Sequence, residues 1–367
     1  MLSRIQVFKR LLFLFALSTI LAGCAGTGDK PEKSAFYPPL PNPPRIQYLT
    51  SFSGPSDLEP DSGLSEFVLG EESENSTLVN KPYGVAIHDG KIYVVDIRGP
   101  GYAIFDLKKK KFDIIYGSFS GKMKKPINIS IDKDGTKYVS DTGRSLVLVY
   151  DKADKFVRII GDGESFKPSD TVIVGNKLFV TDIKNHRLVV LDKNTGEQLY
   201  TIGSVGSKEG ELFYPTNLAL GPDNLIYVSE TGNFRVQTFT LDGKPVKTFG
   251  KVGTGLGQFA RPKGIAIDHQ GNMHVVDAAF ENVQIINKDG KLLMFYGEPG
   301  GDRANINLPT GIVIDYDNVD YFKQYAKPGF ELEYIILVAN QFGKSKVNVF
   351  GKGRMKGMDY ADDASAE

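Results

Sequence analysis

Asn128, Asp170 and Asn217 each stand two residues after a proline (Pro126, Pro168 and Pro215), so three side-chain oxygens recur at one position of the chain. Amide and carboxylate oxygens are hard donors, and a set of them brought together suits calcium. One carboxylate is thin for that ion, and short polar side chains at the start of a strand also bond nearby backbone. A calcium site at these three residues and a local structural role are therefore the two expectations. Histidine offers less. His88 and His269 fall at or beside hairpin turns of different repeats, so they and His186 and His274 are expected at the surface or satisfied locally rather than gathered on zinc. No serine or cysteine nucleophile motif, phosphate-cradling glycine loop or haem-attachment motif is present, and no cofactor is expected beyond the calcium.

The elements that must carry these residues show as repeats. Pro82, Pro126, Pro168, Pro215, Pro262 and Pro309 open one pattern at spacings of 44, 42, 47, 47 and 47. In the first five repeats an acid follows (Asp96, Asp141, Asp182, Glu230, Asp277), and a glycine closes each (Gly117, Gly161, Gly203, Gly250, Gly297). A period of this length marks a solenoid or a propeller. Repeat five decides between them: Gly264-Ile265-Ala266-Ile267-Asp268, Met273-His274-Val275-Val276-Asp277, Val283-Gln284-Ile285-Ile286 and Leu292 to Gly297 are four short strands. Their Gln270-Gly271 and Asp289-Gly290 turns are hairpin signals, and helical periodicity is missing. Four-stranded units repeated radially make propeller blades.

The chain is thus predicted to be all-β, a six-bladed β-propeller over 45–351, with blades starting near 81, 125, 167, 214, 261 and 308. The sixth repeat lacks an outer strand after Val347-Asn348-Val349-Phe350. Residues 45–54 have the alternation and terminal glycine to supply it, which closes the ring and removes free edges. Residues 55–80, with seven acids and no base, are expected to cross to blade one as loop with one helical turn. Residues 352–367 are expected to be a polar tail, and Lys108 to Lys111 a solvated hairpin turn.

The motif Pro-x-Gly-Ile-Ala-Ile-Asp, then Asp/Glu-x-x-x-x-Arg-Val, then Phe and Gly resembles the NHL repeat, most clearly from Pro215 to Gly250 and from Pro262 to Gly297. The resemblance covers about Lys81 to Gly351 and implies the propeller; NHL propellers include scaffolds, RNA binders and lyases, so it does not choose a function. Arg187 and Arg235 occupy the family's arginine position and are expected to pair with acids of neighbouring blades. Lactonase-type six-bladed propellers hold calcium with a similar Asn/Asp/Glu set. A calcium-dependent hydrolase is the reading that this second resemblance supports.

Residues 1–10 carry Arg4, Lys9 and Arg10, and Leu11 to Leu21 is an apolar run too short to span a bilayer but matched to a signal peptide. The run ends in Leu21-Ala22-Gly23-Cys24, which resembles a bacterial lipobox and makes Cys24, the single cysteine, the expected lipidation site. Two or three acyl chains there would give stable membrane attachment. Ala25 and Gly26 follow in place of the aspartate that retains many Gram-negative lipoproteins at the inner membrane, which points to the outer membrane. Residues 24–44, rich in proline, read as an extended tether. Lys+Arg and Asp+Glu both number 44, so losing residues 1–23 leaves a charge of −3 and no footprint for nucleic acid.

The remaining signal is an insertion in blade six, residues 316–333, between Asp315 and Tyr334. Val319 to Tyr325 is predicted to form two helical turns, stopped by Pro328-Gly329. Its aromatics Tyr316, Tyr321, Phe322, Tyr325 and Phe330 are candidate anchors for a second envelope protein, or else a lid packed on the propeller. A lipid-anchored binding or scaffold protein is the first functional expectation and the calcium-dependent hydrolase the alternative.

Overall fold

The computed structural model describes residues 35–58 and 79–360. The signal segment, Cys24, the first part of the tether, the acidic stretch 59–78 and residues 361–367 lie outside the described residues. Within them are six antiparallel sheets, each ordered from an inner to an outer strand, as the sequence predicts. The inner strands are Pro82–His88, Pro126–Ile131, Pro168–Val174, Pro215–Leu220, Pro262–Ile267 and Pro309–Asp315. Proline suits their first position because it has no N–H to leave unpaired. Antiparallel pairing sorts the connections onto two faces. The loops from each outer strand to the next inner strand, and the turns between second and third strands, share the face where the prolines sit. The other hairpin turns lie on the opposite face.

The recurrent acids work here. Asp96 accepts backbone N–H groups of Asn80, Lys81, Arg98 and Gly99. Asp141 does the same for Lys124, Lys125, Gly143 and Arg144, and Asp277 for Ala260, Arg261, Ala279 and Phe280. One buried carboxylate thereby fixes two loops, its charge balanced by several donors.

The core lies between blades. Tyr93, Val95 and Ile104 of blade one pack against Ile129, Val139 and Leu148 of blade two, and the pattern repeats around the ring. Each such fully buried side chain contributes about 1.5–3 kcal/mol of apolar burial. Ile46–Phe52 closes the ring by pairing with Val347–Met355, from Ile46 opposite Lys352 to Phe52 opposite Val347. Phe52 is fully buried and meets the Phe105 ring of blade one at 5.4 Å.

Blade six departs from expectation at both ends of the chain. Phe36–Tyr37, assigned above to the tether, adds a short fifth strand outside Ile46–Phe52. The third strand runs on to Met355 instead of ending near Gly351, because the insertion lengthens its partner to Phe330–Asn340. Tyr360 is tied down as well: its hydroxyl donates to Pro44 O at 2.8 Å and accepts from Met355 N at 2.7 Å. Residues 352–360 therefore belong to the folded body, not to a solvated tail.

Candidate functional site

The inner strands enclose a cavity of about 300 Å³ on the ring axis. Asn128, Asp170 and Asn217 line it, as do Ile87, Ile131 and Ile267. The three polar side chains come from adjacent blades as expected, but Asp170 is directed along the wall toward the next blade, where Leu218 and Asn217 meet it. A Cβ on Gly84 would strike Asn128, one on Gly264 would strike Thr310 O, and one on Gly311 would strike Tyr83 O. Glycine is needed in those blades because the neighbour approaches so closely.

Asp170 fills the same gap with hydrogen bonds. Its Oδ2 accepts from Leu218 N at 2.9 Å and from Asn217 Nδ2 at 3.4 Å, and its Oδ1 accepts from Thr171 N at 2.8 Å. Burial pushes its pKa up to about 7, against the pull of those donors. Asn128 Oδ1 accepts from Ile129 N at 3.0 Å, while Asn217 Oδ1 is buried without a partner. This donor set fits calcium poorly. It has one carboxylate, disposed to hold a proton, with both oxygens already engaged. Among the described residues no group of three His, Cys, Asp or Glu could hold a metal.

The insertion sits on the opposite face, between the first and second strands of blade six. Its predicted helical turns form as a helix over Val319–Phe322 and a 3₁₀ turn over Lys323–Tyr325. Phe322 and Phe330 are buried, Phe322 in the core between blades six and one, with Tyr321 and Tyr325 packed against it. Gln47 of the closing strand clips the segment by donating to Tyr325 O at 3.3 Å and accepting from Lys327 N at 3.1 Å. Tyr316 stacks on His269 at 3.6 Å and accepts its backbone N–H. Most of the aromatic area thus anchors the insertion to the ring.

The other residues singled out in the sequence are accounted for locally. His274 is buried beside Tyr334 and Asp268, its pKa held below the ordinary imidazole value chiefly by burial. His186 packs on Phe213 and Tyr214 and accepts from Tyr214 N. Arg187 and Arg235 pair with acids of their own blades, Asp182 and Glu230, not of neighbouring ones. The reason is register: Glu230 lies directly opposite Arg235, and Asp182 opposite Arg187.

Two features escaped the sequence reading. The proline face carries exposed apolar side chains in its loops: Phe119 (98%), Val205 (61%), Val252 (63%) and Leu256 (80%), with Phe342 in a turn of blade six. The paired segments Gly203 to Phe213 and Gly250 to Ala260 put Val205 and Val252 at equivalent places, each fixed by a short bridge, to Leu212 and to Phe259. The second feature is the residue before each repeat proline: Lys81, Lys125, Lys167, Tyr214, Arg261 and Leu308. Four of these six are basic, and each stands directly before an inner strand on the proline face; reading one residue upstream of each proline would have found them.

Ring closure, blade order and the axial cavity define a six-bladed β-propeller. No protein-family model matches the chain. Among solved structures it is similar to a protein of unknown function from Bacteroides thetaiotaomicron (21% identity, TM-score 0.56, covering 75% of this chain and 70% of that one). It is also similar to a gluconolactonase from Xanthomonas campestris (13%, TM-score 0.54, 85% and 91%). A third likeness is to virginiamycin B lyase from Staphylococcus aureus (17%, TM-score 0.51, 74% and 80%). At these identities the likeness is one of fold.

Proposed function

We propose that the chain is a lipid-anchored binding propeller of the cell envelope, attached through Cys24, probing a protein partner with its proline face. The observation that carries this reading is the set Phe119, Val205, Val252 and Leu256, exposed on that one face of an otherwise closed ring. Exposed apolar loops on a rigid scaffold are suited to burying area against another protein. The lipobox resemblance supports envelope attachment, and the outer membrane is the proposed location.

Crosslinking and affinity capture from native membranes test the reading. The intact chain should capture a defined envelope protein, and Val205→Ser/Val252→Ser/Leu256→Ser should lose it while melting at the same temperature. Loss instead on replacing residues 319–333 with a short turn would move the interface to the insertion. Capture of nothing specific by the intact chain would remove the reading's support. Cys24→Ser should release the protein from membranes.

A calcium-dependent hydrolase on Asn128, Asp170 and Asn217 is the second reading, favoured by the unpartnered Asn217 Oδ1. A calcium-induced rise in melting midpoint, lost in Asn217→Ala and accompanied by lactone turnover, would carry it; unchanged melting would end it.

A further inference from the structure

The mouth of the ring on the proline face, where the inner strands begin, carries cations that the fold leaves unused. Lys125, Lys167 and Arg261 stand at equivalent positions of blades two, three and five, each directly before the proline that starts an inner strand. Their Cα atoms therefore share one ring about the axis. Lys263 lies one step further in, between Pro262 and the channel-lining Gly264. Among the described residues, the side chains of all four make no hydrogen bond or ion pair. The fourth basic residue of the ring, Lys81, rests over the Phe342 ring at 5.1 Å.

Acids do not cancel this charge. The recurrent carboxylates on this face, Asp96, Asp141, Asp182, Glu230 and Asp277, accept backbone N–H groups, and Glu281 accepts from Leu308 N at 2.8 Å. Glu164, Glu209 and Glu298 come earlier in their loops, nearer the outer strands. Among the described residues the carboxyl in the channel wall is that of Asp170, disposed to carry a proton near neutrality. Lys263, pushed down to about 8 by burial and by Arg261, still holds most of its charge there. Tyr83, from blade one, is buried within the field of both Asp170 and Arg261, and its ionisation is suppressed by burial first and Asp170 second, so it remains a neutral phenol able to donate.

We propose that this mouth binds a small organic polyanion, its carboxylate or phosphate groups held by Lys125, Lys167, Arg261 and Lys263. Cations drawn from three blades are matched by a ligand with two or more anionic groups. The axial cavity, about 300 Å³, begins at the third residue of the inner strands and runs on to Ile87, Ile131 and Ile267 toward the opposite face, at the small end of ligand pockets. Phe119, Val205, Val252 and Leu256 come earlier in their loops than the residues at the mouth, while Phe342 touches Lys81 of the ring.

Citrate and tripolyphosphate are the probes, titrated calorimetrically into the full chain in detergent micelles. Two variants lose the same three charges: Lys125→Gln/Lys167→Gln/Arg261→Gln at the mouth, and Lys109→Gln/Lys155→Gln/Lys288→Gln in hairpin turns of the opposite face. The expected result is one site per chain for at least one probe, weakened by added salt. Affinity should fall about tenfold or more in the mouth variant and hold within about twofold in the other. The two probes tell carboxylate from phosphate recognition. Equal weakening in both variants would reduce the effect to net charge and overturn the proposal, as would no binding of either probe. Should the mouth variant fold badly, Lys263→Met takes its place, and undiminished affinity there overturns the assignment of Lys263.

Discussion

Replacing Asp170 with asparagine should take a pH dependence out of the stability of the ring. In the fold this carboxyl is buried, and its pKa is raised from 3.8 to about 7. A raised pKa means that the folded state binds the proton more tightly than the unfolded chain does. The associated stability is fully present below about pH 4, falls as pH rises from there, and is lost once pH passes about 7. At about 1.36 kcal/mol per pKa unit the whole interval is worth about 4 kcal/mol. Asparagine keeps one acceptor and gives up the other, so either Leu218 N, now donating to Oδ2 at 2.9 Å, or Thr171 N, donating to Oδ1 at 2.8 Å, loses its partner, at a pH-independent cost of about 1–3 kcal/mol. The two stability curves should therefore cross, with wild type ahead at about pH 4 and the asparagine variant ahead by about pH 8. Urea-unfolding midpoints across that range read the difference directly. Parallel curves for the two proteins would show that Asp170 ionises freely in the fold, and the reasoning about the channel wall would fail with it.

Two further perturbations follow from the packing. Phe52→Ala removes a fully buried ring from the closing strand, where it meets Phe105, and should cost about 3–5 kcal/mol by thermal or chemical melting; a loss under about 1 kcal/mol would mean that closure does not depend on that contact. Arg235→Ala strips Glu230 of its ion pair at 2.6 Å and frees the carbonyls of Ser207, Lys208 and Glu211. It should cost about 3 kcal/mol or more and speed amide exchange at Leu212 and its neighbours; unchanged protection there would refute the clamp.

The ring was legible in the sequence because its periodic signals are backbone requirements. A proline can begin an inner strand, an acid must satisfy loop N–H groups, and a glycine must end each outer strand, so all three recur at a fixed interval. The closing strand was legible for a related reason: a sixth repeat short of one strand and an orphan alternating segment at residues 45–54 fit each other. The direction of side chains within the ring was not legible. Asn128, Asp170 and Asn217 share a sequence position, but whether that position faces the axis or the next blade depends on how closely adjacent inner strands approach. Aromatic density in residues 316–333 was equally ambiguous. Phe322 and Phe330 look the same in sequence whether they wait for a partner or wedge the insertion against its own blade, and here they are buried. The cations at the mouth were missed because they lie one residue outside the repeat as it was framed.

The pairing of Phe52 with Val347 joins residues 295 positions apart. During synthesis the early half of this seam must therefore stay available, with no partner, while five complete blades are made after it. Contacts so distant in sequence are slow to form and return their free energy only at the end. A chain broken off before Val347 leaves bare strand edges on both sides of the gap, open to pairing with other molecules or to proteolysis. The seam thus acts as a proofreading step for the whole product: only a chain carried through its last blade can shut the ring and hide the edges by which a faulty one is recognised.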